Sequence, residues 1–224
     1  MIKAFIFDLD GTLVDTLKDI AGFMNGILRE RGWPEHPTED YKRMVGRGFT
    51  KLVQAVAPQG TAYDFAEFYE YCFALYKDLG PGQSTPYPGA IEALRELAGR
   101  GAGLAVLTNK PDDIAQRVMT ALFPDIPFGF VRGGLPGKPL KPEPDGALEA
   151  AAALGVAPAD CAFVGDSDVD MLTAVAAGMF GVGAAWGFRD EAELLGAGAR
   201  VIARSMADIP PLYGLWHAGE KQLY

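Results

Sequence analysis

After a short apolar opening run, apolar residues in the first third of this chain recur at every third and fourth position. The segments TLKDIAGFMNGILRERG, TEDYKRMV, FTKLVQAVA and TAYDFAEFYEYCFALYKDLG all show this spacing, which gathers the apolar side chains on one face of a helix. No convincing strand interrupts them between residues 15 and 79, so this stretch is predicted to be an all-helical block. It closes in GPGQSTPYPG, residues 80–89, whose glycines, prolines and small polar residues read as a linker.

Beyond the linker the pattern changes. The short apolar runs GLAVLT, FGFV, CAFVG and GVGAA alternate with the helical stretches AIEALRELAGR, PDDIAQRVMTAL, DGALEAAAALG and VDMLTAVAAG. Such alternation implies βαβ units and a parallel sheet. The opening run KAFIFD has no strand partner within the helical block, so it belongs to this later sheet, and the block becomes an insertion. The predicted fold is α/β: a doubly wound, Rossmann-like parallel sheet formed by residues 1–14 and 86–224, with an α-helical cap domain inserted at residues 15–85. There is no internal repeat, coiled coil or low-complexity tract.

Composition narrows the partners. The chain has 224 residues, 49% of them hydrophobic, and 29 acidic against 20 basic residues give a net charge of −9. That balance argues against nucleic acid or an anionic membrane as the main partner, and any anionic substrate must be met by a local positive site. Cys72 and Cys161 lie far apart in unrelated contexts, which fits buried, reduced and inert thiols rather than a disulfide framework. The start MIKAFIFD is too short and too soon acidic for a signal peptide, and no apolar run approaches the length of a membrane span. A soluble, cytoplasmic protein is expected.

Ligands of an open parallel sheet bind at the carboxyl ends of its strands. The first strand ends in Asp8 and Asp10, two residues apart and so on one face, where the carboxylates repel unless a cation lies between them. The others offer Thr108 and Asn109, then Lys138 and Lys141 in a proline-stiffened loop, then Asp166, Ser167, Asp168 and Asp170. Carboxylates, a hydroxyl, an amide and a lysine suit Mg²⁺ and a phosphoryl group, since Mg²⁺ takes hard oxygen ligands. Other chemistries find little support. GGLPGKP has the wrong glycine spacing for a P-loop, GxSxG is absent, and His36 and His217 fall in a loop and in the tail.

DLDGT followed in order by LTNK, KPEP and GDSDVD, each after an apolar strand, resembles the haloacid dehalogenase superfamily of phosphohydrolases. The LTNK form, the helical insertion directly after DGTLVDT, and FVGDSDVDMLTAVAAGM resemble its phosphoglycolate phosphatase branch. The resemblance implies that Asp8 attacks phosphorus to give an aspartyl-phosphate, with Asp10 as general acid and then base. It implies that Thr108 and Asn109 bind phosphoryl oxygens and that Lys141 neutralises charge; Lys141 is preferred to Lys138 because it alone lies in a lysine, proline, any residue, proline pattern. Asp166 would ligate Mg²⁺ with Asp8 and the backbone carbonyl of Asp10. Asp170, one helical turn on, would act through water or as an orienter, while Asp168 points elsewhere. In the cap, Arg47 of VGRGF is the candidate reader of a substrate carboxylate, and Asp15 is the expected N-cap of the first cap helix.

The implied enzyme is a Mg²⁺-dependent phosphomonoesterase for 2-phosphoglycolate or a similar small anionic phosphate ester, acting as a monomer or homodimer on a small phosphorylated metabolite. The alternatives are a phosphomutase of the same superfamily, like β-phosphoglucomutase, and a non-hydrolytic phosphoaspartate signalling module. TNK after the second core strand favours the hydrolase over the mutase, since such mutases usually carry small residues there. The position of DLDGT on the first strand, together with the cap, counts against the signalling module.

Overall fold

The computed structural model describes residues 1–77 and 82–215. His217, the end of the fourth predicted helix and the first residues of the predicted linker lie outside the described residues. From the amino terminus the chain runs through β1 (Ala4–Phe7), β2 (Val14–Asp15), α1 (Leu17–Glu30), α2 (Tyr41–Met44), α3 (Phe49–Val56), α4 (Phe65–Lys77) and β3 (Thr85–Pro86). It continues as α5 (Ala90–Gly99), β4 (Gly103–Pro111), α6 (Asp112–Leu122), β5 (Phe130–Gly134) and α7 (Asp145–Ala153). The last elements are β6 (Cys161–Gly165), α8 (Asp168–Ala176), β7 (Phe180–Ala184), α9 (Glu191–Gly196) and β8 (Val201–Ala203).

Six strands form one parallel sheet in the order β5-β4-β1-β6-β7-β8. β1 is central, with Ala4 opposite both Gly103 and Cys161. Its alternate side chains feed two different cores, as the two-residue repeat of a strand requires. Phe5 and Phe7 pack with Leu94 and Leu97 of α5 and Val118 of α6 on one face. Ala4 and Ile6 pack with Ala147 and Ala150 of α7 and Ala174 of α8 on the other. Each large apolar side chain sealed in this way contributes about 1.5–3 kcal/mol. The strand that leads into Asp8 is therefore anchored on both faces.

Helices α1 to α4 enclose a third, aromatic-rich cluster that includes Met24, Tyr41, Phe49, Phe68 and Tyr76. Ile114 of α6 and Phe188, after β7, join this cluster, so the helical unit is packed down on the strand ends. The chain crosses between the two units twice, and β2 pairs with β3 antiparallel at those crossings, Val14 opposite Pro86 and Asp15 opposite Thr85. Asp19 of α1 strengthens the joint by accepting from the backbone N–H groups of Gln83 (3.0 Å) and Ser84 (2.6 Å).

The structure adds detail that the pattern lacked. β2 and β3 lie where only helix and linker were expected, and two residues are too few to show a period. α9 and β8 extend the core beyond the last predicted strand, and β5 starts two residues later than the run FGFV and continues to Gly134. Asp15 lies in β2, one residue before the N-cap position Thr16; its carboxylate accepts from Leu17 N–H at 3.3 Å. Both cysteines are free and buried, and burial pushes each thiol up to about 11. Among the described residues no helix is long and apolar enough to cross a membrane.

Candidate active site

The carboxyl ends of β1, β4 and β6 meet beneath the cap. β1 ends at Phe7 and hands the chain to Asp8, which is buried. The turn that follows runs against the end of β6. Gly11 has φ +87°, and a Cβ there would lie 2.4 Å from Asp166 Oδ2, so only glycine passes. Thr12 Oγ1 then donates to Asp166 Oδ1 at 2.7 Å, while the Phe188 backbone N–H donates to Oδ2 at 2.8 Å. Two donors thus fix the Asp166 carboxylate from opposite sides.

Lys141 fills the centre. Its Nζ lies 2.8 Å from Asp8 Oδ1, an ion-pair contact that falls short of hydrogen-bond geometry, and it donates to Asp170 Oδ1 at 2.6 Å. The other oxygen of Asp170 accepts from Ser167 N–H (3.0 Å) and Ser167 Oγ (2.6 Å), closing the first turn of α8. Lys138 instead faces Glu149 at 3.7 Å near the surface, so of the two candidate lysines it is Lys141 that reaches Asp8. Burial works against the Lys141 ammonium, yet Asp170 and Asp8 hold its pKa above the ordinary value. Burial pushes Asp8 up to about 7; Lys141 pulls it down, and Asp170 and Asp10 add to the rise. Asp166 is pushed up to about 8 by burial and by the neighbouring Asp170 and Asp8.

Asp10 lies apart from that group. Its carboxylate pairs with Lys110, whose Nζ is 3.0 Å and 3.3 Å from the two oxygens. Lys110 Nζ also donates to the Tyr76 hydroxyl of cap helix α4 at 2.9 Å. The mutual repulsion expected of Asp8 and Asp10 is thus relieved by giving each its own lysine. Thr108 Oγ1 accepts from the Lys110 backbone N–H at 3.2 Å, which leaves its own O–H free to donate. Asn109 is committed to holding loops together: Nδ2 donates to Gly46 O (3.0 Å) and Lys141 O (2.9 Å), and Oδ1 accepts from Lys141 N–H (2.9 Å).

A cleft of about 390 Å³ opens between these residues and the cap. Asp8, Asp10, Thr108, Asn109 and Lys110 line its floor, and Ile20, Val45, Phe49, Leu52 and Tyr76 line the cap side. Arg47 does not line it. Its guanidinium forms an ion pair with Asp168, at the start of α8, across the cap–core boundary. Sequence reasoning therefore singled out Asp8, Asp10, Thr108, Asn109, Lys141, Asp166 and Asp170, which the structure gathers at these strand ends, whereas Arg47, expected to read a substrate carboxylate in the cleft, is paired with Asp168 outside it. It passed over Lys110, Tyr76 and Thr12. A signal for Lys110 was present, since it lies two residues after Thr108 on the same strand.

The donor set fits a divalent metal. Asp8, Asp166 and Asp170 are buried and each offers a carboxylate oxygen within 4.8 Å of the others. Four carboxylates and two ammoniums leave two negative charges when all are ionised, and burial makes that excess costly. A divalent cation would cancel it and reverse the upward pressure on Asp8 and Asp166. The Asp10 carboxylate is outside the cluster.

A parallel α/β core with a buried carboxylate just after its central strand, a buried acidic cluster and a helical cap has the architecture of a capped hydrolase. Comparisons with known proteins make this specific. The family model for haloacid dehalogenase-like hydrolases matches residues 2–178, and the chain belongs to that family. It is 34% identical over 209 residues to a phosphoglycolate phosphatase of Caulobacter vibrioides, covering 91% of this chain and 87% of that one. It is 33% identical over 215 residues to another from Chromobacterium violaceum, covering 93% and 95%. A haloacid dehalogenase-like family hydrolase from Streptococcus pneumoniae superposes with a TM-score of 0.83 at 25% identity, covering 95% of this chain and 98% of that one. The chain is thus a phosphoglycolate phosphatase-like enzyme, and a phosphatase. Hydrolases of this family generally use a divalent metal, which the Asp8, Asp166 and Asp170 cluster can accommodate.

Proposed function

We propose that this phosphatase hydrolyses small anionic phosphate monoesters, 2-phosphoglycolate foremost, with Mg²⁺ and through a phosphorylated Asp8. The observation that carries the reading is the placement of Asp8: a buried carboxylate on the floor of the cleft, 2.8 Å from Lys141 Nζ. A carboxylate is a weak nucleophile, so it must be held in line and shielded from water. β1 does the first and the apolar cap the second. Lys141, fixed by Asp170, faces the charge that spreads over the phosphoryl oxygens. The free O–H of Thr108 donates to the same oxygens. Mg²⁺ held by Asp8, Asp166 and the Asp10 carbonyl, with Asp170 beside them, would supply the positive charge that lets an anion approach an anion.

In the first step an Asp8 oxygen bonds to phosphorus as the ester P–O bond breaks, and Asp10 gives its proton to the departing oxygen. In the second step Asp10 takes a proton from water, the water oxygen bonds to phosphorus, and the aspartyl P–O bond breaks to release inorganic phosphate. The relatives named for phosphoglycolate support the substrate. The test is phosphate release from 2-phosphoglycolate, ethyl phosphate and hexose phosphates, with kcat/KM for each. 2-Phosphoglycolate should lead, and Asp8→Asn should lower its turnover by about a thousandfold or more, about 4 kcal/mol. Interconversion of hexose phosphates without phosphate release, as in a phosphomutase, would overturn the reading. So would more than a few per cent of activity in Asp8→Asn free of deamidation.

A further inference from the structure

The cap side of the cleft is almost without polar side chains. Ile20, Val45, Phe49 and Leu52 are apolar, Gly46 and Gly48 present only backbone, and Tyr76 alone among the described cap residues lining it carries a polar side chain. A substrate carboxylate pushed against such a wall loses its hydration and must regain a charged partner. Arg47 is engaged by Asp168 outside the cleft. The cation that does line the cleft is Lys110, which is buried and lies beside the floor that holds Asp8 and Asp10.

A lysine ammonium carries three donors. Lys110 Nζ donates to both Asp10 oxygens, at 3.0 Å and 3.3 Å, and to the Tyr76 hydroxyl at 2.9 Å. The longer Asp10 contact, at 3.3 Å, is the one an incoming carboxylate would displace. Tyr76 is itself held from two sides, stacked on Phe49 at 4.7 Å between ring centroids and tilted against Phe23 at 5.2 Å. The phenol is thus a rigid post that sets where the flexible lysine stem ends. Because Tyr76 is on the cap and Lys110 is on the core, this contact forms only when the two units are together.

We propose that Lys110, steered by Tyr76, is the specificity-determining residue that recognises a carboxylate carried close to the phosphoester of the substrate. This rests on the phosphomonoesterase reading above and adds the group that reads the rest of the molecule. A neutral ester of the same size offers the Lys110 ammonium no charge, and a sugar phosphate turns its hydroxyls toward Ile20, Val45, Phe49 and Leu52 without partners. A site built to bond a substrate group rejects analogues that lack it far more strongly than an apolar pocket rejects a missing methylene.

The experiment compares kcat/KM for 2-phosphoglycolate and ethyl phosphate in the wild type and in Lys110→Met, with Mg²⁺ present. In parallel it measures Ki for phosphonoacetate and ethylphosphonate, which bind without turnover. Lys110→Met should slow both substrates through the lost contact with Asp10. The ratio of the two kcat/KM values should fall at least tenfold, with a matching selective rise in Ki for phosphonoacetate, and Lys110→Arg should recover part of it. A ratio within twofold of the wild type would overturn the inference and leave Lys110 as a support for Asp10 alone. If Lys110→Met does not fold, Tyr76→Phe decides: KM for 2-phosphoglycolate should rise several-fold more than KM for ethyl phosphate, and an equal change in both would overturn the inference. A wild-type enzyme with no preference for 2-phosphoglycolate overturns the substrate reading itself; a preference that survives in Lys110→Met overturns only the role of Lys110.

Discussion

Two of the sets of ion pairs in this molecule surround the cleft, one on its floor and one at its rim. On the floor, Lys141 with Asp8 and Asp170, and Lys110 with Asp10, have side chains at most 10% exposed. At the rim, Arg43 with Glu193 and Arg47 with Asp168 join cap to core with arginines 62% and 53% exposed. Charge attraction is the same in kind, but burial divides the consequences. A buried pair has lost its hydration, so removing one partner strands the other. An exposed pair is screened, and its formation is nearly balanced by the side-chain entropy it costs. The floor is built to hold atoms in place for chemistry. The rim pairs, being exposed, hold cap to core only weakly.

The rim also contains one buried member. Arg189, after β7, donates to the backbone carbonyls of Lys42 and Val45 on the cap and pairs with Glu193 at 3.1 Å. Glu193 is therefore shared between Arg189 and Arg43, whose contact is 2.5 Å. This gives the boundary a buried anchor within a screened fringe.

The contrast is broken most severely at Lys141. Lys141→Met leaves Asp8 and Asp170 facing each other in a buried site without their cation, and should destabilise the metal-free protein by about 3–5 kcal/mol. Turnover should fall with it. The double variant Lys141→Met with Asp8→Asn should recover a large part of the stability, since the amide removes one stranded charge. Denaturant unfolding of the four proteins of that cycle without metal measures the coupling. A double variant that is as unstable as the sum of the singles would show that Lys141 acts by packing and not by charge.

A second, smaller effect comes from pH and metal. Asp8 at about 7 and Asp166 at about 8 lie above the ordinary 3.8. Between about pH 4 and pH 8 the folded protein therefore keeps protons that the unfolded chain has released, and the stability contributed by these two groups falls as pH rises through that window. A metal must displace the same protons. Mg²⁺ at a hundred times its Kd stabilises by about 2.7 kcal/mol, and at a fixed Mg²⁺ concentration the rise in Tm should be larger at pH 8 than at pH 6. A rise that is equal or smaller at pH 8 would place the metal away from Asp8 and Asp166.

The floor was far more legible in the sequence than the rim, for a physical reason. Asp8, Thr108 and Asp166 follow apolar strands directly, and a parallel sheet brings all such ends to one edge whatever the loops do. Strand identity alone located them. Asp170 was legible from helical spacing, and Gly11 from the turn that a positive φ requires. Lys110 was hidden because β4 continues to Pro111, so a residue that looked like the start of a loop still belongs to the site. The partners of Arg47, Tyr76 and Arg189 depend on how the cap is seated on the core. That seating arises from packing such as Ile114 and Phe188 within the cap cluster, and no local period records it. Arg47 was recognisable as a cation near the site, but the choice between Asp168 and a substrate is made in three dimensions.

The smallest effect is expected at that residue. Arg47→Ala removes one exposed pair between the cap and the start of α8, so its cost in stability should lie within about 0–1 kcal/mol. In kinetics the pair acts through the closed state of the cap, which every substrate needs. The variant should therefore lower kcat/KM for 2-phosphoglycolate and for ethyl phosphate by the same modest factor. Asp168→Asn should reproduce that factor, and the gap between wild type and variant should shrink at about 1 M salt, where the screening length is about 3 Å. A loss confined to 2-phosphoglycolate would give the opposite result. Arg47 would then leave Asp168 when substrate arrives, and the reading of the carboxylate would move from Lys110 on the floor to the guanidinium at the rim.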